Sequence, residues 1–149
     1  MKLEQELKQA HFGDQYLKAV LNVLVTAEVL GSKTNAVLKP FGISKEQFNV
    51  LRILRGQYPK PATVQLITER MISKSSNATR LVEKMRMKGL VERTQCAADR
   101  RKVDVVITQK GLDLLIEVDP LVRATSDSHR NLSEDEAYTL NKLLEKMRG

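Results

Sequence analysis

The chain has 149 residues, enough for about one domain with a buried core. Its 42% hydrophobic and 29% charged residues are those of a globular protein, and no apolar run approaches the roughly 18 residues of a membrane span. The net charge of +7 suits an anionic partner, and the single cysteine, Cys96, excludes an intramolecular disulfide and fits a reducing cytoplasm.

The first ten residues alternate charged and apolar side chains and lack the apolar centre of a signal peptide. Residues 4–30 carry apolar positions at helical spacing, with Leu17, Val20, Leu21, Leu24 and Val25 on one stripe. Gly13 interrupts this helix near its start, and Gly31 is placed at its end. A short second helix is expected over 33–38, before Pro40. Ser44 and Gln47 form a capping box for the next helix, which buries Phe48, Leu51 and Leu54 and stops at Gly56. Tyr58-Pro59-Lys60-Pro61 is a turn, and Pro61 is placed at the first position of a short helix reaching Arg70, with Val64, Leu66 and Ile67 inward.

After a turn at Met71-Ile72, Ser73 is the expected cap of a helix over 73–88, ended by Gly89. Ala78, Leu81, Val82 and Met85 share its apolar face, while Ser76, Arg80 and Glu83 point the other way. The period then changes from helical to alternating. Two strands, over 90–94 and 102–107, enclose a polar loop and make a hairpin with an arginine-rich tip. Thr108 caps a further helix with Leu112, Leu115 and Ile116 on one face and Pro120 as a kink or break. Ser133 and Glu136 form a capping box for the last helix, whose edge is Leu140, Leu143, Leu144 and Met147.

Charge is concentrated in one stretch. Residues 44–111 hold fifteen Lys and Arg against six Asp and Glu, so the whole positive excess lies there and the remainder is slightly acidic. The order within that stretch is helix, helix, helix, strand, charged loop, strand, which is the order of a winged helix-turn-helix. In such a module one helix enters a major groove while its other face packs on the domain. Small polar residues at the helix start suit that entry: Ser73, Ser75, Ser76 and Thr79 offer hydroxyls, Asn77 can pair with adenine, Arg80 with guanine or phosphate, and Lys84 with phosphate. In the hairpin Arg93, Arg100, Arg101 and Lys102 are read as a cluster on an exposed turn, where an arginine can enter a narrow minor groove. Asp99 beside them is expected to hold an arginine side chain by a bidentate pair.

These residues resemble a known family, the MarR (multiple antibiotic resistance) regulators. The resemblance rests on Gly42-Ile43-Ser44-Lys45-Glu46-Gln47-Phe48-Asn49-Val50-Leu51 and on Ser73 through Lys84 with Asn77-Ala78-Thr79-Arg80-Leu81-Val82. It continues in Lys88-Gly89-Leu90-Val91, Asp99-Arg100-Arg101 and Ile107-Thr108-Gln109-Lys110-Gly111. No one of these is specific; their order and spacing together are. The resemblance implies a mainly α fold with a small β-hairpin wing. A single domain over 1–149 would contain a DNA-binding core at 44–111, with 1–43 and 112–149 supplying dimerisation helices. It further implies a homodimer on a pseudo-palindromic double-stranded operator, with Asp99 orienting the wing and Arg101 probing the minor groove. Repression relieved by a small-molecule effector or an oxidant also follows from it.

His11, Tyr16 and Arg52 are the candidates for an effector pocket between the arms and the core. Oxidant-sensing relatives carry their cysteine near the N-terminal helix, whereas Cys96 opens the wing, so a plain wing residue is the reading preferred for it. An enzyme reading finds only His11 and His129, far apart, with no metal-ligand spacing, phosphate loop or nucleophile motif, and no cofactor is expected. The alternative is a winged helix for protein–protein or RNA contact without operator recognition. RNA modules stack bases on exposed aromatics, and aromatics are only 4% here. A membrane-surface helix is also disfavoured, because none pairs a strongly basic face with a large apolar one.

Overall fold

The computed structural model describes residues 1–127 and 130–149. Ser128 and His129 lie outside the described residues, and with them the second histidine considered above. The elements run α1 Leu3–Glu6, α2 Gln15–Leu38, a 3-10 turn Lys39–Phe41, α3 Lys45–Gln57, β1 Ala62–Thr63, α4 Val64–Arg70, α5 Ala78–Met87, β2 Val91–Gln95, β3 Val103–Ile107, α6 Gln109–Asp127 and α7 Glu134–Arg148. The architecture is mainly α with a small antiparallel sheet, as the sequence pattern leads one to expect. No helix among the described residues is long and apolar enough to cross a membrane. The chain divides into two compact units, Met1–Lys45 and Glu46–Gly149.

In the first unit the helix break falls at Gly13, not Gly31. Gly13 adopts φ +70°, which a side chain would resist, and Asp14 then caps α2 by accepting the Leu17 N–H at 2.8 Å. Gly31 lies inside α2, which runs unbroken to Leu38, so the separate helix over 33–38 does not exist. An interior glycine weakens a helix by only about 1 kcal/mol and does not have to end it. The chain leaves the helix through Pro40 and Gly42, the latter at φ +71°. Leu3, Phe12, Leu38 and Ile43 are buried in this unit. The predicted stripe of α2 is not: Leu17, Val20 and Leu24 are exposed.

The second unit is built around α3, α4, α5 and the sheet. Phe48, Val50, Leu51 and Leu54 of α3, Ile67 of α4 and Val82 and Met85 of α5 form its core with Val91, Val105 and Ile107 of the strands. The strand order is β1-β3-β2, all antiparallel. β1 is absent from the sequence reading, and it displaces Pro61 from the helix start. Ala62 and Thr63 pair with Val105 and Asp104, and Thr63 caps α4 by accepting the Leu66 N–H at 3.1 Å.

α6 continues through Pro120. A proline there leaves the Ile116 carbonyl without its usual donor, and Ile116 is 71% exposed, so that carbonyl can turn to water. Ile116 therefore faces out, contrary to the face assigned to it, while Gly111, Leu115 and Val118 are buried. α7 starts as expected, with Ser133 and Glu136 satisfying each other's backbone N–H groups at 3.2 and 2.7 Å. Its apolar edge of Leu140, Leu143 and Met147 is exposed, and no residue of this helix is buried.

Candidate nucleic-acid interface

α5 is shorter than its sequence pattern suggests. Ser73 does not cap it. Asn77 does, its side-chain oxygen accepting the Arg80 N–H at 3.0 Å. Ser73, Ser75 and Ser76 lie instead in the preceding turn, where the Ser76 N–H donates to the Ser73 carbonyl at 3.2 Å. Asn49 on α3 fastens the entrance of this turn by accepting the Ile72 N–H at 2.9 Å. The physical reason is tertiary. Ala78, Val82 and Met85 must be helical to bury one face, and the chain ahead of Ala78 is held back by α3. The cap takes one of the two acceptor positions of the Asn77 oxygen and orients the side chain toward its own helix, while its NH2 makes no hydrogen bond among the described residues.

At its other end α5 closes on a Schellman turn. Gly89 takes φ +72°, its N–H donates to the Arg86 carbonyl at 2.9 Å, and the Leu90 N–H donates to the Met85 carbonyl at 3.0 Å. The start of α6 locks onto this turn. The Thr108 hydroxyl donates to the Gly89 carbonyl at 2.7 Å, and Lys110 Nζ donates to the Lys88 carbonyl at 2.8 Å. Gly111 permits that approach, because a Cβ there would sit 2.4 Å from the Leu90 carbonyl oxygen and 2.6 Å from Ile107 Cγ1. Two separate sequence motifs are thus one joint, from which the hairpin leaves the core.

The hairpin tip is organised by backbone hydrogen bonds. Asp99 Oδ1 accepts the Arg101 N–H at 2.9 Å, and the Asp99 carbonyl accepts the Lys102 N–H at 3.0 Å. The Lys102 carbonyl accepts the Cys96 N–H at 2.9 Å, and Gln95 Nε2 donates to the Arg100 carbonyl at 2.7 Å. The expected side-chain pair between Asp99 and an arginine is not formed, since the short carboxylate reaches its neighbour's backbone first. Arg93 is also not on the turn. It lies in β2, opposite Val105, and its Nη1 is 3.4 Å from Glu83 Oε2 on α5. Arg100 and Arg101 are exposed and make no ion pair among the described residues.

Thr79 and Val82 of α5, Arg93 of β2, Val103 of β3 and Arg101 of the wing line one groove of about 220 Å³ together with Thr63, Val64 and Gln65. The helix face and the wing therefore share a concave, arginine-bearing surface. Arg80 and Lys84 are exposed on α5, on the outward side of the same helix. Asn49, Gln95 and Glu83 carry positioning contacts that the sequence reading did not assign; each depends on a partner across an element boundary.

The residues considered for an effector are divided between the two units. His11 lines an open concavity of about 510 Å³ with Glu4, Phe12, Asp14 and Lys18, in the first unit. Tyr16, 85% exposed, is not on it. Arg52 belongs to the second unit, where its guanidinium lies 5.7 Å from the Phe48 ring centre. No cluster of His, Cys, Asp and Glu able to hold a metal exists among the described residues.

Residues 43–103 match the model of the MarR family. The HTH-type transcriptional regulator MhqR of Bacillus subtilis (strain 168) is 29% identical over 114 residues, 76% of this chain and 77% of that protein. The crystal structure of a MarR transcription factor from Planctomyces limnophilus superimposes with a TM-score of 0.70 at 29% identity, covering 91% of this chain and 98% of that one. Bordetella bronchiseptica BpsR, whose DNA binding is regulated by 6-hydroxynicotinic acid, shares the fold, with a TM-score of 0.75 at 24% identity over 93% of this chain and 96% of its own. A helix-turn-helix with a basic wing, in a chain whose residues 43–103 match the MarR model, has one reading: the protein is a DNA-binding transcriptional regulator similar to those of the MarR family.

Proposed function

We propose that the protein acts in the cytoplasm as a homodimeric, effector-responsive repressor on a pseudo-palindromic operator. The observation that carries the interface is the shared groove. It sets Thr79 of α5 beside Arg101, in a wing whose two tip arginines are exposed and unpaired. α5 is the recognition helix in this reading. Arg80 reads a base edge, while Thr79, Lys84 and the hydroxyls of Ser73, Ser75 and Ser76 engage the sugar–phosphate backbone. Asn77 contributes its NH2 to a phosphate and keeps its oxygen on the cap. Arg101 enters the minor groove, Arg100 meets the flanking phosphate, and Asp99 holds the loop that presents both.

The dimer is supported by apolar surface left uncovered in one chain. Leu17, Val20 and Leu24 of α2 and Leu140, Leu143 and Met147 of α7 are all exposed, and helices patterned this way need a second surface to bury them. A small-molecule effector is supported by the regulation described for BpsR. His11, Tyr16 and Arg52 remain the candidates for its contacts.

Selection of genomic fragments bound by the purified full chain tests the reading. Enriched fragments should share two inverted half-sites centred about 10–10.5 bp apart, one helical turn. Recovery without any common motif would contradict operator recognition and favour non-specific DNA binding.

A further inference from the structure

Glu83 stands on the outward side of α5, in a stretch where basic residues outnumber acidic ones fifteen to six. A carboxylate on a surface that must attract phosphates weakens that attraction, so its partners matter. Arg86 clamps it from both sides, with Nη2 at 2.6 Å from Oε1 and Nε at 3.0 Å from Oε2. Arg93, on the first strand of the wing, approaches the same Oε2 at 3.4 Å. The hydrogen bonds from Arg86, and then the charges of Arg86 and Arg93, hold the Glu83 carboxyl below the usual carboxylate range. It is therefore ionised wherever the protein meets DNA, and it joins a helix residue to a strand residue that lines the groove with Thr79 and Arg101.

We propose that Glu83 is a specificity-determining positioning residue, which withholds Arg86 and Arg93 from indiscriminate phosphate contact and fixes Arg93 between α5 and the wing. The inference rests on the DNA interface described under the proposed function. Its physical basis is that non-specific binding comes almost entirely from phosphate neutralisation, each phosphate adding about 0.9 to the log–log salt slope. An arginine already paired to a carboxylate releases fewer counterions from DNA. Operator binding also draws on base-edge contacts, which Glu83 does not oppose. Glu83 thus lowers non-specific affinity more than operator affinity.

The test is Glu83→Gln in the full chain, titrated against a duplex of random sequence over a range of salt. The variant should bind this duplex several-fold more tightly, with a salt slope steeper by about one to two units. In an Arg86→Gln/Arg93→Gln background the same change should give a much smaller gain. An unchanged slope, or an equal gain in both backgrounds, would overturn the assignment. So would weaker binding accompanied by a lower melting temperature, the mark of a merely structural role. If the wild-type chain itself shows no salt-dependent duplex binding, the DNA reading falls first and this inference with it.

Discussion

α5 and the wing face one groove, yet they are held by different forces. The outward side chains of α5 are placed by what lies behind them. Ala78, Val82 and Met85 are buried against the core, and a cap and a Schellman turn fix the two ends. The tip of the wing has no such backing. Its loop is shaped by a short set of hydrogen bonds around Asp99 and Gln95, and its arginines project from it. The helix is therefore rigid by packing and the wing by local hydrogen bonding. Damage to the first should appear as lost stability, and damage to the second as lost binding in a protein that remains folded.

Met85→Ala should have the largest effect on stability. It empties a fully buried site beneath α5 and is expected to cost about 2–5 kcal/mol, measured by denaturant unfolding. A loss under about 1 kcal/mol would mean that packing does not hold the helix. Gly111→Ala attacks the joint from which both regions leave. The added methyl meets the Leu90 carbonyl oxygen at 2.4 Å, and backbone cannot yield cheaply, so about 1–3 kcal/mol should be lost despite the better helix propensity of alanine.

Asn77 separates two roles within α5. Asn77→Ala should cost about 0.5–2 kcal/mol by removing the cap, whereas Asn77→Ser should retain most of that stability because serine caps comparably. Base preference in a site-selection experiment should survive in the serine variant; a changed motif would return Asn77 to base reading. Asp99→Ala should cost the fold least, about 0.5–1.5 kcal/mol for a single exposed hydrogen bond. Its operator affinity should fall well beyond that figure, since the loop that presents Arg100 and Arg101 loosens. Equal losses in stability and affinity would erase the distinction between the two regions.

The sequence carried the order of the main elements and the buried faces of α3 and α5, because both follow from periodicity, whereas the stripes assigned to α2 and α7 are largely exposed and Ile116 faces out. Choices between equivalent local signals were decided from a distance. Gly13 and Gly31 look alike in sequence, each followed by a capping residue type, Asp14 or Ser32, but only Gly13 takes a positive φ and only Asp14 caps a helix start. Ser73 and Asn77 are both good caps, and the burial of Ala78 together with the hold of Asn49 on Ile72 selects the second. β1 is two residues long and exists only because β3 offers a free edge at Asp104 and Val105. The arginine wing was legible as composition, but its internal pairing was not. Arg93 reaches across to Glu83, and Asp99 turns to backbone, through contacts that no spacing rule specifies.

The most direct test of the wing's role is a titration of the Arg101→Ala chain against its selected operator duplex. Melting temperature and oligomeric state are measured on the same sample. Most of the affinity should be lost and the salt slope should become shallower by about one unit, with fold and oligomeric state unchanged. Affinity equal to that of the wild-type chain would contradict that role.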